Sequence, residues 1–184
     1  LIKYINHLLI QIKRIRTNMS DKFNGLVEAI FLPPRNWVLN KALKFTCGHL
    51  NNDDVKKLKD CGVDVVDEGK GIATITVNKG YITDLASVPR ACWAFIAPFD
   101  VARAAIVHDI LYEKINVAFE NKKINERESY RKIADDCFKH AMKCSQPAVS
   151  GWKIWSAYNA VRLFGRFAIK NSRPRGAKPT LVLK

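Results

Sequence analysis

The hydrophobic pattern of this 184-residue chain changes at Gly80, and that change constrains the fold more than any other feature. Before Gly80, short runs in which apolar and polar residues alternate predict β-strands. The predicted strands lie within residues 23–48, at 63–66 and at 72–77. After Gly80, apolar residues recur at helical spacing. We therefore predict an α+β fold in which a small N-terminal antiparallel sheet is followed by a bundle of three to four helices.

Four stretches after Gly80 carry the helical pattern. They are a short aromatic segment near 87–97, long apolar helices at 100–119 and 126–144, and a last helix from Pro147 to about 170. We predict that the aromatic side chains of the last helix belong to the core, namely Trp152, Trp155, Tyr158 and Phe164. One earlier helix is predicted to begin at the polar run 52–54 and to end near Cys61.

The basic charge of the chain is concentrated at its two ends. The sequence holds 31 Lys and Arg against 17 Asp and Glu, a net charge of +14, with 48% hydrophobic residues. This hydrophobic content excludes a mainly disordered chain. Residues 1–18 carry four basic and no acidic side chains, and residues 165–184 carry six basic and no acidic ones. We predict an N-terminal arm at 1–18, a single α+β domain at 19–165 and an extended C-terminal arm at 166–184.

The N-terminal arm is predicted to be an amphipathic helix, because its apolar residues recur at spacings of three and four. They are Ile2, Ile5, Leu8, Leu9, Ile12 and Ile15. Such a stripe packs on its own domain or on a partner subunit, or it lies on a membrane surface. Basic residues follow the apolar stretch and no small-residue cleavage site comes after it, so we do not expect a signal peptide.

The cysteines favour a reducing compartment. The chain has five of them and no C-x-x-C pair, a pattern that argues against a secreted disulfide scaffold. Cys47, His49 and Cys61 could supply three zinc ligands, although buried thiols without a metal are the simpler interpretation. We predict that the remaining histidines, His7 and His140, and His49 with them, are surface or structural residues.

A polar pair interrupts the first long helix at a point where its surroundings look buried. Residues 104–112 read AAIVHDILY, and an ionisable pair in such a setting costs several kcal/mol unless it is partnered. His108 and Tyr112 are four residues apart and share a helix face, while Asp109 lies about 100° away. His108, Asp109 and Tyr112 are therefore candidate site residues.

The next helix supplies a carboxylate in a similar setting. Asp135 lies between apolar neighbours, and two antiparallel helices could bring it to the imidazole of His108. A carboxylate on one ring nitrogen fixes the tautomer and makes the other nitrogen a better base. Arg131 is four residues before Asp135 and could form a simple ion pair with it. Either a functional site or a structural network that ties two helices together would account for this pattern.

A third polar cluster precedes both helices at residues 80–90. Asp84 and Ser87 could cap the short helix that follows, and Pro89 suits a first helical turn. Alternatively, this loop carries Asp84 and backbone carbonyls toward His108 and Asp109. Ser87 and Arg90 are therefore also kept as candidate site residues.

Four motifs in order resemble an uncharacterised family of tailed phages and prophages, domain of unknown function 1353. They are TDLASVPR at 83–90, A-x-x-H-D-x-L-Y at 105–112, R-x-x-A-D-x-x-F at 131–138 and VRLFG at 161–165. The resemblance covers roughly residues 24–165. It implies that the protein is made in a bacterial host cytoplasm and resides in a phage virion, with other virion proteins in multiple copies as partners.

The pair H-D-x-x-Y and A-D-x-x-F is also similar to the core of phospholipase A2, especially the form found in parvovirus capsids. This resemblance implies His108 as the general base that activates water and Asp135 as the residue that orients it. It implies that Asp109 ligates calcium, with the Asp84 loop as a second source of ligands, and that Tyr112 braces the site.

Three functions follow from these features. The first is a virion-associated structural or accessory protein whose body carries a hydrolase-like His/Asp site. The second is a phospholipase A2-like lipid esterase that acts when phage enter or leave the host. The third is a nucleic-acid-binding protein, which we disfavour because the body is nearly neutral and no recognition motif is present. Non-specific contact of the basic arms with packaged nucleic acid or a membrane surface is expected in each case.

Overall fold

The computed structural model of the chain describes residues 21–84, 98–172 and 174. The predicted N-terminal arm, the predicted short helix at 87–97 and most of the predicted C-terminal arm lie outside the described residues. Within them, two small antiparallel sheets precede and adjoin a set of long helices, so the α+β prediction is confirmed.

In the described residues, seven strands form the two sheets, and every strand pair among them is antiparallel. The four-stranded sheet has the order β1-β4-β6-β5 and the three-stranded sheet has the order β2-β3-β7. The strands are β1 (Lys22–Phe23), β2 (Ala29–Leu32), β3 (Asn36–Leu39), β4 (Leu43–Cys47), β5 (Val65–Gly69), β6 (Ile72–Val77) and β7 (Ile82–Thr83). Of the strands described, the short β7 is the last before the long helices, and its end lies next to them.

The alternating sequence of the central strands determines which face of the four-stranded sheet is buried. In β4, Phe45 is buried, and its cross-strand partner Ile75 of β6 is buried as well. Helix α1 (Asn52–Asp60) contributes Val55 and Leu58 to the same core cluster. Asn51 caps α1, one residue before the predicted polar run, through reciprocal hydrogen bonds with Asp54.

Three longer helices form the rest of the body. They are α2 (Ala102–Glu120), preceded by a 3-10 turn at Pro98–Val101, α3 (Glu128–Lys143), and α4 (Gly151–Ala168), followed by a 3-10 turn at Ile169–Asn171. Helix α2 packs against α3, and α3 packs against α4. The last helix begins at Gly151 and not at the predicted Pro147, because Ser150 has the extended backbone of an N-cap residue.

The prediction that the aromatic residues of the last helix form core is wrong for three of them. Trp152, Trp155 and Phe164 are each more than half exposed. The buried stripe of α4 consists instead of smaller residues, namely Ile154, Ala157, Val161 and Gly165. Small side chains on this stripe allow α4 to approach its neighbours closely, and Trp152, Trp155 and Phe164 lie outside the stripe.

No helix among the described residues is long and apolar enough to cross a membrane.

Candidate functional site

A buried carboxylate, Asp135 of α3, is the centre of the polar network between the three long helices. His108 Nε2 lies 2.9 Å from Asp135 Oδ1, and the Tyr112 hydroxyl donates to the same oxygen at 2.7 Å. All three residues are almost completely buried. The predicted contact of Asp135 with His108 is therefore present, and Tyr112 lies on the helix face that its spacing from His108 predicted.

Two arginines hold the other oxygen of the same carboxylate. Arg131 Nη1 donates to Asp135 Oδ2 at 3.0 Å, which confirms the predicted helical ion pair, and Arg162 Nη1 of α4 donates to it at 2.8 Å. Both guanidinium groups also bind Glu128 at the start of α3. Arg131 additionally donates to the backbone carbonyl of Val161, so it fastens α4 to α3. We call these six side chains the Asp135 cluster: His108, Tyr112, Glu128, Arg131, Asp135 and Arg162.

The hydrogen bonds of the cluster hold Asp135 ionised. Burial by itself raises the pKa of Asp135, but the hydrogen bonds from His108, Tyr112 and Arg162 outweigh it, so the pKa lies below its ordinary value. Burial, and then the charge of Asp135, raise the pKa of Tyr112 far above its ordinary value. The phenol therefore remains a hydrogen-bond donor at neutral pH.

The carboxylate of Asp135 determines which ring nitrogen of His108 carries a proton. Two arginines face two carboxylates, so the cluster is neutral when the imidazole is neutral. An ionised carboxylate can only accept, so His108 Nε2 carries the proton. In the neutral imidazole Nδ1 holds the lone pair, and this buried nitrogen has no hydrogen-bond partner among the described residues. An unpartnered, buried basic nitrogen is unusual in a network that is otherwise well satisfied.

Gly165 allows α4 to approach the cluster. A Cβ atom at this position would collide with the Tyr112 hydroxyl oxygen and would crowd Arg131 Nη1 at 3.2 Å. Neither side chain is free to retreat, because both are bound to Asp135. The close packing of α4 against Tyr112 and Arg131 thus explains why the VRLFG motif ends in glycine.

We predict that Gly165→Ala lowers the free energy of unfolding by about 1–3 kcal/mol through overpacking. The same substitution at an ordinary helical position would stabilise the helix by up to about 1 kcal/mol. Urea denaturation measures the effect, and the matched comparison is Gly165→Ala in a Tyr112→Phe background, where the colliding oxygen is gone. An equal loss in both backgrounds would show that the Tyr112 contact is not the cause.

The remaining predicted site residues lie at the end of β7 or outside the described residues. Thr83 is buried at the end of this strand, and its hydroxyl donates to Asp109 Oδ2 at 2.6 Å. Asp84 follows Thr83 and is partly buried. The structure thus joins the third polar cluster to the helix that carries His108. Ser87 and Arg90 lie outside the described residues.

Asp84 and Asp109, the predicted calcium ligands, do not belong to a group of three or more His, Cys, Asp or Glu side chains with adjacent ligand atoms in the part of the chain that the structure describes. Among those residues, one group of three potential ligands has its ligand atoms together, and it consists of Asp21, His49 and His140. The predicted zinc ligands Cys47, His49 and Cys61 do not form such a group among the described residues either. The structure instead brings His49 next to a histidine that is 91 positions away in sequence, His140.

A family comparison covers the part of the chain that contains most of the Asp135 cluster. The family model described as "Protein of unknown function (DUF1353)" matches residues 62–161, which is more than half of the 184 residues. The chain belongs to the DUF1353 family. His108, Tyr112, Arg131 and Asp135 all lie within the matched range, whereas Arg162 lies one residue beyond it.

The comparison with curated proteins and the comparison with solved structures found no match. The resemblance to phospholipase A2 therefore stays a prediction from the two short helical motifs.

Two residues of the cluster were missed as site residues by the sequence analysis. Arg162 lies in the VRLFG motif, but nothing in the local pattern relates it to Asp135, which is 27 positions away. Glu128 is three residues before Arg131, a spacing that places both on one helix face and could have indicated their contact.

Proposed function

We propose that this protein is an accessory protein of a tailed-phage particle and that its helical body carries a hydrolase site. In this proposal His108 is the general base, Asp135 orients it, and Tyr112 braces the carboxylate. The observation that carries the proposal is the state of His108. Its Nε2 lies against the Asp135 carboxylate, while its buried Nδ1 has no hydrogen-bond partner among the described residues.

The chemistry that this arrangement suits is the attack of water on an ester. His108 Nδ1 accepts a proton from water as the water oxygen forms a bond to the carbonyl carbon. The imidazolium that results keeps its Nε2 proton bonded to Asp135, whose negative charge stabilises it. When the intermediate collapses, the C–O bond breaks and the Nδ1 proton passes to the leaving alkoxide. The imidazole is then neutral again, and one water has been consumed.

The arginines support this role by fixing the carboxylate. Arg131 and Arg162 both bind Oδ2, so Oδ1 remains directed at His108 and Tyr112. A carboxylate held by four donors cannot rotate away from the imidazole, and such positioning is what a catalytic base requires.

A calcium-dependent phospholipase is the second candidate, and the contact between Thr83 and Asp109 favours it. This contact brings the end of β7, with Asp84 next in sequence, to the helical turn that carries His108. Carboxylate oxygens are suitable calcium ligands, and a cation there would stabilise the oxyanion of a lipid ester.

The context of a phage particle rests on the charge distribution and on the motifs shared with the phage family. Ten of the fourteen net charges lie near the two ends of the chain. Basic ends on a nearly neutral body are suited to contact with other virion proteins, and they would also bind packaged nucleic acid or a membrane surface non-specifically.

The test is an ester-hydrolysis assay of the purified chain on phospholipid vesicles and on a soluble short-chain ester, each with calcium and with a chelator. We expect wild-type turnover, and we expect His108→Gln to lower its rate by about 10²–10⁴-fold. Loss of lipid turnover with the chelator would favour the phospholipase over a metal-independent esterase.

His140→Gln is the matched control, because it changes a histidine outside the Asp135 cluster and should retain turnover. Absence of turnover by folded wild-type protein, or equal turnover by His108→Gln, would contradict the proposed hydrolase.

A further inference from the structure

A second polar cluster joins three segments that are far apart in sequence. Asp21 precedes β1, His49 follows β4, and His140 lies in the last turn of α3. Their ligand atoms all lie within 4.8 Å of one another. We call these three residues the Asp21 cluster, and none of them takes part in the proposed hydrolase.

Asp21 is held in place by two donors. Its Oδ2 lies 2.7 Å from His140 Nδ1, and its Oδ1 accepts the backbone N–H of Gly48 at 2.8 Å. The two imidazole rings lie face to face, with centroids 3.9 Å apart and 12° between their planes. The carboxylate is thus positioned by two contacts, whereas one of the stacked rings has to turn before both can direct a ring nitrogen at a single ion.

An ion pair between Asp21 and His140 does not account for His49. Both ring nitrogens of His49 are buried, and among the described residues neither has a hydrogen-bond partner of good geometry, although the thiol of Cys47 lies nearby. A neutral imidazole has one donor and one acceptor, and buried groups of this kind are normally satisfied. A ligand that accepts the lone pair of His49 would satisfy the basic one of these two nitrogens.

We propose that Asp21, His49 and His140 bind a divalent transition-metal ion, with Zn²⁺ as the ion that fits best. Two imidazole nitrogens and one carboxylate oxygen form a donor set typical of zinc, whereas calcium and magnesium prefer oxygen ligands alone. Three protein ligands leave a fourth position for water.

Two neighbouring features are consistent with this donor set. The thiol of Cys47 donates to the carbonyl of Ala73 at 3.6 Å and does not belong to the group of ligand atoms that lie together. Asp21 also lines a surface cleft of about 380 Å³, so the carboxylate of the cluster lies close to solvent.

The experiment is a zinc titration of metal-free, full-length protein by competition with a chromophoric chelator. We expect one ion per wild-type chain and a rise in the thermal midpoint, because the ion would join three segments of the fold. His49→Asn, His140→Asn and Asp21→Asn should each weaken zinc binding by at least about 100-fold. His108→Gln, a buried histidine of the other cluster, should bind zinc like the wild type.

Cobalt(II) provides a second measurement that does not depend on stability. Bound Co²⁺ should give the visible absorption of a site with nitrogen and oxygen ligands, without a strong thiolate charge-transfer band. Circular dichroism of the metal-free variants shows whether each is folded. The proposal is overturned if folded wild type does not bind zinc, if binding survives the three ligand substitutions, or if a strong thiolate band appears.

Discussion

Asp135→Ala is expected to lower the free energy of unfolding by about 3–5 kcal/mol, one of the two largest effects in this protein. Removal of the carboxylate leaves the guanidinium of Arg131 buried with one of its two anionic partners gone. It also leaves the His108 Nε2 proton and the Tyr112 hydroxyl without their acceptor. Loss of a hydrogen-bond partner lowers the free energy of unfolding far more for a buried group than for an exposed one, because water cannot replace the bond of the buried group.

The matched control is Asp136→Ala, which changes the next residue of the same helix. Asp136 binds the exposed Lys132 and the hydroxyl of Tyr158, and it is partly accessible to water. Its loss should cost about 1 kcal/mol or less. Urea denaturation of both variants at neutral pH measures the difference. Similar decreases in the free energy of unfolding of the two variants would contradict the conclusion that Asp135 is the centre of the buried network.

The pH dependence of the wild type should follow from the lowered pKa of Asp135. A carboxyl group whose pKa is lower in the folded chain contributes stability above its unfolded pKa, and that contribution is lost as the pH falls through the folded value. The stability advantage of wild type over Asp135→Ala should therefore be fully present at neutral pH and should shrink below about pH 4.

The second large effect is expected for Asp135→Asn, which should lower the rate of ester hydrolysis by about 10⁴-fold. Arg131 and Arg162 both donate to the position of Oδ2, so they select the amide oxygen there. The amide nitrogen then occupies the position of Oδ1 and donates to His108 Nε2. This forces the proton of the neutral imidazole onto Nδ1, and the base has no lone pair at the position where water would bind.

This prediction separates catalysis from stability. Because Asn retains an acceptor for the two arginines, Asp135→Asn should be less destabilising than Asp135→Ala, although its catalytic loss is large. The measurement is the rate of ester hydrolysis at a temperature at which circular dichroism shows the variant to be folded. A folded Asp135→Asn variant with wild-type turnover would contradict the role of Asp135 as the orienting residue.

The contact between His108 and Asp135 could be predicted because each residue interrupts an apolar helical pattern. A buried ionisable residue needs a partner, and adjacent antiparallel helices bring two such residues together. The contact of Arg131 with Asp135 could also be predicted, because the two residues are one helical turn apart. Arg162 could not be found in this way, because its contact depends on how α4 crosses α3, and that crossing is determined by small residues such as Gly165.

The exposed aromatic residues of α4 show a second limit of the sequence pattern. Periodicity indicates a helix, but it does not decide which stripe is buried when large aromatic and small residues both recur at helical spacing. Close packing favoured the stripe of Ala157, Val161 and Gly165, so Trp152 and Trp155 are exposed. The Asp21 cluster had no local signal at all, because Asp21 and His140 are 119 positions apart.

The most direct test of the central claim is the protonation state of His108, measured by long-range ¹H–¹⁵N correlation spectra of the imidazole at neutral pH. The account predicts a neutral ring with its proton on Nε2 and a lone pair on Nδ1. The signal is assigned by its absence in His108→Gln. A proton on Nδ1 in the wild type, whether as the other neutral tautomer or as a doubly protonated ring, would contradict the assignment of His108 as a general base.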